Sequence, residues 1–529
     1  MIKLHRRSLL AGASAMLAAP SLARAASQTT LKFVPNNNLG TLDPLWATAA
    51  GTKRHAFLVF DTLYGQAADQ SVSPQMVAGH TVDDDGRRWT LTLRDGLVWH
   101  DGEKVLARDC VASIRRWGVR DAVGQELMAV TDELSAPDDR TILFRLKQKF
   151  PLLPAALGKS QAYVPVMMPQ RLAETPPGKQ VTEMTGSGPF RFVANEWVPG
   201  ATIVYSKFDK YVPRGDGAVS GTAGPKIVHF DRVEWAVISD SGVIAGALQS
   251  GEVDWWDYAL VDVLPQLKRD PGVRVEVLEP TGQIPIIRVN QLTPPFDNQG
   301  VRQALLAAIQ QSEFMRGLGG DASLWHAPVG VFCPGTPMAS DVGLEMFTGP
   351  RNWSAVKAAL DKAGYGGEKV AFLAATDSPQ IQTLCEIGAD AMRQGGFTVD
   401  YQSMDWGTVL QRRAKKDPID HGGWSAFVTN GWQGTDMLDP ISNISLRGNG
   451  ANAWVGWPTA PKLEALRRDW MAEPSVDGQK RIAAEMQAQA WIDVPYVPLG
   501  QNLQPSAFRA DLDGVLKGFP VFWNVRRVS

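Results

Sequence analysis

WTLTLRDGLVWHDGEKVLARDCVASIRRW, residues 89–117, decides the fold. Trp89, Leu91 and Leu93 alternate with threonines at the period-2 spacing of a strand with one buried face. Arg94-Asp95-Gly96 supplies turn chemistry, and a second short apolar run, Leu97 to Trp99, completes an expected hairpin. After another turn, His100-Asp101-Gly102, the apolar positions fall at Cys110, Val111, Ile114 and Trp117, one face of a helix. Asp109 stands in the first helical turn, where the dipole favours a carboxylate. Leu106, ahead of that helix, carries no side-chain acceptor, so its first N–H groups need a partner from elsewhere.

Leu93, Arg94, Gly96, Trp99, His100, Asp101, Gly102, Ala107 and Asp109 form a long, irregularly spaced pattern. It resembles the signature of the family 5 extracellular solute-binding proteins, the large peptide- and nickel-type binding proteins that feed ABC importers. The family places Thr before the Ala, at the helix cap, and Leu106 departs from this. Further landmarks are similar: an early Asp43-Pro44 loop, a helix expected over Phe57 to Tyr64, and Gly186-Ser187-Gly188-Pro189-Phe190 leading into a strand. So are Leu248, Gly251, Glu252 and Asp254 at a helix-to-strand step, Val301-Arg302-Gln303-Ala304, and Asp493, Pro495, Pro498 and Leu499 near the C-terminus. The resemblance covers nearly the whole chain after its leader. It implies an α/β, two-lobed periplasmic-binding-protein type II fold with an extra subdomain in the first lobe. It also implies lobe closure on a small solute, delivery to ABC permease subunits, and no catalytic role.

Composition bounds the alternatives. A chain of 529 residues, 44% hydrophobic and 20% charged, buries a large core and suits roughly three domains' worth of length. Mean hydropathy is −0.15. The formal charge is −2, and removing the four basic residues of the leader leaves 49 Lys and Arg against 55 Asp and Glu, which argues against a nucleic-acid surface. Cys110, Cys333 and Cys385 lack both C-x-x-C spacing and a nearby His, so no zinc site is expected and at most one bridge. Tryptophan is abundant, 18 against 8 Tyr, and suits flat amphipathic contact as well as core packing.

Met1 to Ala26 reads as a targeting leader: Arg6-Arg7-Ser8-Leu9-Leu10, an apolar run to Ala19, and Ala23-Arg24-Ala25 as a cleavage site. The paired arginines resemble a twin-arginine signal, so a periplasmic location is expected; a general secretory leader is the alternative. Residues 27–285 are expected to form the first lobe, with a supporting subdomain over about 62–184. Residues 286–488 are expected as the second lobe, and 489–529 as the return to the first. Within the second lobe, Lys369 to Ala374, Ser378 to Gln394 and Phe397 to Ser403 read strand, helix, strand, which a right-handed crossover makes a parallel pair.

The principal candidate site is the loop Asn430 to Pro440, NGWQGTDMLDP. Peptide-binding relatives carry a similar Gly-Trp loop whose acid pairs with the ligand's α-amino group. Anchored on Asp439-Pro440 the matching acid is Asp436; one residue is inserted after Trp432, and the register also allows Thr435. Gly434 lies between them, and Trp432, Trp454 and Trp457 offer an aromatic wall. Arg393, Arg412, Arg413 and Arg447 are unranked partners for a ligand carboxylate, with Arg447 nearest the loop. A di- or oligopeptide is the expected ligand and the protein a monomer without cofactor. A metal chelate, haem or oligosaccharide is the alternative, with His421 alone near the loop as a metal ligand. An exported hydrolase is a remote third reading, since G-x-S-x-G, H-E-x-x-H and a phosphate loop are all absent.

Overall fold

The computed structural model describes residues 29–36, 38–161, 163–176, 178–319, 321–430 and 433–528. The leader and Trp432 therefore lie outside the described residues. The chain forms two compact units, one from Met1–Lys147, Pro154–Leu278 and Pro505–Ser529, the other from Gln148–Leu153 and Glu279–Gln504.

In the first unit the strand Thr30–Val34 is central to a seven-stranded sheet, parallel to Arg232–Ala236 on one side and to Trp255–Trp256 on the other. The C-terminal strand Ser506–Arg509 completes this sheet, antiparallel to both Trp255–Trp256 and Val273–Glu276. Phe33, Trp235, Trp255 and Phe522 pack edge to face on it with centroids 5.0–6.2 Å apart. Among these rings Arg54 meets Asp257 at 2.7 Å, both buried, and desolvation holds the Asp257 carboxyl above its ordinary range despite the guanidinium. Arg54 comes from the helix Ala50–Val59. The helix expected over Phe57 to Tyr64 is thus placed too late. After Phe60 the chain turns extended, because Asp61–Thr62 pairs with Val166–Met167 and Tyr64–Gln66 with Val72–Pro74.

The stretch 89–117 forms its helix, Ala107–Arg120, with Cys110, Ile114 and Trp117 fully buried. Its strand, Arg88–Leu93, exists too, but not as half of the expected hairpin. Val77–Asp83 and Thr141–Leu146 occupy its two edges, so Leu97 to Trp99 has no edge to join and makes only a bridge between Val98 and Lys104. The missing cap is supplied from inside the helix. Asp109 Oδ2 accepts the Leu106 N–H at 2.9 Å and the Trp99 indole N–H at 3.3 Å, while Oδ1 accepts Gln170 N–H at 2.9 Å. One carboxylate therefore ties the helix start to two loops.

His100 does the same for the Gly186-Ser187-Gly188 turn. Its Nδ1 accepts Gly186 N–H at 3.3 Å, which leaves Nε2 as the donor to Gly188 O at 3.0 Å. That turn lies so close to the end of the helix Ala50–Val59 that a Cβ on Gly186 would stand 1.9 Å from Val59 O. Further on, the helix Ser241–Ser250 ends at Gly251 in the left-handed region (φ +77°) and passes to Trp255–Trp256, as the sequence predicts.

The second unit is built on a five-stranded sheet ordered Thr398–Met404, Lys369–Ala375, Ala426–Thr429, Ile286–Val289, Val497–Pro498. The predicted parallel pair forms in full register, Lys369 opposite Thr398 through Ala375 opposite Met404, joined by the helix Pro379–Gly395. Ile286–Val289 runs antiparallel to both neighbours, and Val497–Pro498 pairs with Ile286 and Ile287 inside this same sheet. Asn298 accepts from Gly300 and Val301 N–H to start the helix Gln299–Ala308. The three cysteines are free and buried. No helix among the described residues is long and apolar enough to cross a membrane.

Burial lowers the His100 pKa to about 4 and the His55 pKa to about 3, against 6.5 for an unburied imidazole. Both are neutral in the fold, so below pH 6.5 the unfolded chain binds more protons and stability falls until the folded values are reached. Chemical denaturation at pH 7.5 and pH 5 is expected to show a loss of about 2 kcal/mol per histidine. In His100→Gln the loss should be smaller by one histidine's share; an equal loss in both proteins would contradict the assignment.

Candidate functional site

The loop that follows the strand Ala426–Thr429 is the candidate site, and its described residues are held by backbone and side-chain hydrogen bonds. Gln433 to Met437 forms a short 3-10 turn, Gly434–Met437, held from both sides. Gly434 N–H donates to Gly282 O at 2.8 Å, and Met437 O accepts Cys333 N–H at 2.8 Å. Glycine is required at 434 by proximity: an added Cβ would lie 2.1 Å from Thr281 O and 2.7 Å from Cys333 Sγ. Burial among these groups pushes the Cys333 thiol up to about 12, so it packs and does not react at neutral pH.

Asp436 is half-buried, and its Oδ2 accepts the Gln433 N–H at 3.2 Å, capping the turn. Thr435 is buried, and its hydroxyl has no hydrogen-bond partner among the described residues. Asp439 accepts the N–H groups of Ile441 and Ser442 at 2.8 and 2.7 Å, closing the next turn. Trp454 is half-buried and packs edge to face on Phe427 at 5.9 Å. Trp457 lies deeper, in a core with Leu373, Val409, Trp424 and Phe427. Its ring is buried in that cluster instead of facing outward, and its backbone takes a positive φ of 47°.

The four candidate arginines separate. Arg447 is engaged with Glu464 at 3.5 Å, a carboxylate that also accepts Gly448 N–H at 2.7 Å. Arg412 donates to Gln402 Oε1 at 2.6 Å and to Gly423 O at 2.7 Å, bracing the turn before the strand. Arg393 is exposed on its helix, 5.9 Å from the Tyr401 ring. Arg413 lies among Trp406, Phe427 and Trp454. His421 is exposed, and the described residues contain no group of three His, Cys, Asp or Glu arranged for a metal ion.

The residue that shapes the site is one that sequence reasoning passed over. Arg288, fully buried in the strand Ile286–Val289, donates through Nε to Val455 O at 2.6 Å and through Nη2 to Trp454 O at 3.0 Å. Its Nη1 reaches both Ser445 O and Pro495 O at 2.8 Å. All four acceptors are neutral carbonyls, and its guanidinium stands 5.0 Å from the Trp454 ring. Desolvation lowers its pKa to about 9, so it is charged at neutral pH. Gly456 completes the arrangement, since a Cβ there would sit 2.7 Å from Arg288 Nε. The available signal was one charged residue inside the apolar run Ile284 to Val289.

A profile described as "Bacterial extracellular solute-binding proteins, family 5 Middle" matches residues 71–453. A probable peptide ABC transporter periplasmic-binding protein of Sinorhizobium fredii is 37% identical, over 99% of this chain and 98% of its own. Among solved structures, a periplasmic binding protein of A. tumefaciens R10 in complex with agropinic acid superposes with a TM-score of 0.77 at 22% identity, covering 94% of this chain and 99% of that one. An ABC transporter-associated periplasmic binding protein of Helicobacter pylori, in complex with the peptide STSA, superposes with 0.77 at 19% identity, covering 96% and 99%.

Gly434→Ala is expected to destabilise the second unit by about 1–3 kcal/mol, the usual cost of forcing volume into a packed site. Urea denaturation followed by tryptophan fluorescence measures it. Wild-type stability in the variant would show that the turn relaxes without strain.

Proposed function

The chain belongs to the bacterial extracellular solute-binding proteins of family 5, and from that premise we propose that it is the periplasmic substrate-binding component of an ABC importer for peptides or peptide-like solutes. Its relatives are transporter binding proteins, not enzymes. The two compact units serve as the two lobes, and the leader, by its paired arginines, directs export by the twin-arginine route. Membrane permease subunits are the partners, and the protein acts as a monomer.

The observation that carries the peptide reading is the turn Gly434–Met437 with its half-buried carboxylate. Asp436 Oδ2 accepts the Gln433 N–H at 3.2 Å. A carboxylate so oriented, beside the buried Thr435 hydroxyl, suits an ammonium group: the charge-assisted bond is worth about 1.5–3 kcal/mol once water is excluded. Trp454 offers an apolar face for the adjoining side chain. The 37% identity to a probable peptide-binding protein over nearly the full chain supports the same ligand class.

Isothermal titration against a panel of di- and oligopeptides tests this, with N-acetylated peptides as controls. Asp436→Asn keeps an acceptor for the Gln433 N–H, so the turn survives while the charge is lost. Peptides with a free α-amino group should bind the wild type and lose about tenfold or more in the variant, the factor for 1.4 kcal/mol. Silence from the whole peptide panel, or unchanged affinity in Asp436→Asn, would overturn the reading. Saturation instead by a haem, a metal chelate or an oligosaccharide would replace it.

A further inference from the structure

The chain carries three cysteines, all unbridged and all fully buried, whose thiols the solute site does not use. Cys110 shares the buried face of the helix Ala107–Arg120 with Ile114 and Trp117, in the first unit. Cys333 and Cys385 belong to the second unit and stand among different neighbours there. The Cys333 thiol lies 3.5 Å from Thr281 O and 3.3 Å from Gln501 Nε2, with Gly434 packed against it. The Cys385 thiol, on the helix Pro379–Gly395, bonds to the backbone of Ala375 and Val428 in two strands of the sheet. Burial pushes the Cys333 and Cys385 thiols up to about 12 and raises that of Cys110 as well.

An odd number of unbridged thiols is at variance with an oxidising compartment, where accessible cysteines pair. In the folded chain they are safe. A thiol reacts as its thiolate and from an accessible position, and these three offer neither. In the unfolded chain the same three thiols are exposed, with no native bridge to form. A bridge from Cys110 to either of the others would join residues of two separate cores. A bridge from Cys333 to Cys385 would pull at least one sulfur from its native contacts. Even one oxygen added to Cys333 would meet Thr281, Gln501 and Gly434 at close packing. Oxidation before folding is therefore a trap, and oxidation after folding is blocked.

We propose that the chain folds, with its three thiols reduced, before it leaves the cytoplasm, and that the burial of Cys110, Cys333 and Cys385 then keeps it unbridged in the periplasm. This rests on the reading of Met1 to Ala26 as an export leader and deepens it. The twin-arginine route passes chains already folded, whereas the general secretory route passes them extended. Arg6-Arg7 and the buried thiols then answer to one requirement.

Alkylation and mass spectrometry of periplasmic extracts test this, with protease resistance as the measure of folding. Behind its own leader the protein should arrive protease-resistant, refuse the alkylating agent until denatured, and then take up three alkyl groups. Behind a general secretory leader it should arrive protease-sensitive and bearing mixed disulfides. The same secretory fusion should regain resistance in a host that lacks the periplasmic disulfide oxidase, and in a Cys110→Ala, Cys333→Ala, Cys385→Ala protein. A secretory fusion that arrives folded with three free thiols overturns the inference, and so does one that stays misfolded in the oxidase-free host, since the fault then lies outside the thiols. With Arg6→Lys and Arg7→Lys together, folded and reduced chain should accumulate in the cytoplasm. The two readings part where that variant is retained while the secretory fusion folds normally: the twin-arginine route then stands and the inference falls.

Discussion

The candidate site depends on one buried cation. Arg288 stands in the middle of an apolar strand, sheds its water and receives four backbone carbonyls in exchange. Among the described residues no acid pairs with it, and the carbonyl dipoles and the Trp454 ring stabilise it instead. The bargain runs both ways. Trp454 and Val455 lie in irregular chain and Ser445 in the single 3-10 turn Ile444–Leu446, where buried carbonyls have no long ladder to satisfy them, and a rigid fork of N–H donors is the group that can serve several at once. Losing the guanidinium would orphan these acceptors, at about 1–3 kcal/mol for each buried one.

The same economy recurs wherever this fold uses long loops. Arg302 holds the carbonyls of Phe296, Asp297 and Asp493, joining a helix start to the end of the helix Val476–Asp493. Asn443 reaches Val331 O and the Tyr496 hydroxyl, and Gln487 accepts Val331 N–H while donating to Ser340 and Val342 O. In the first unit Asp109 and His100 tie turns to helix and strand in like manner. Each of these side chains reaches a backbone group that the helix and sheet ladders leave open. The loops of the candidate site are thereby tied to the elements around them.

What the sequence made legible follows from range of interaction. The parallel pair Lys369–Ala375 and Thr398–Met404, the helices Ala107–Arg120 and Pro379–Gly395 and the Gly251 cap depend on local pattern, and they stand where the pattern puts them. The hairpin at 89–99 was misread because its strand is claimed by two partners about ten and fifty residues away, which no local window reveals. The helix near residue 57 was misplaced for the same reason: Asp61–Thr62 is drawn into pairing with Val166–Met167. In the loop, local pattern does not show that Trp457 packs inward or that Arg447 is engaged by Glu464. The role of Arg288 in holding the loop is not legible locally because its four acceptors come from segments about 160 to 210 residues downstream.

If Arg288 is the constraint on which the loop depends, its removal has a local signature. Hydrogen–deuterium exchange followed by mass spectrometry, comparing wild type with Arg288→Met, reads it directly, since methionine keeps bulk and loses the donors. Protection should fall in peptides spanning 445–457 and 494–496 while the paired strands Lys369–Ala375 and Thr398–Met404 keep theirs. Unchanged exchange over 445–457, or a uniform loss throughout the second unit, would contradict the account.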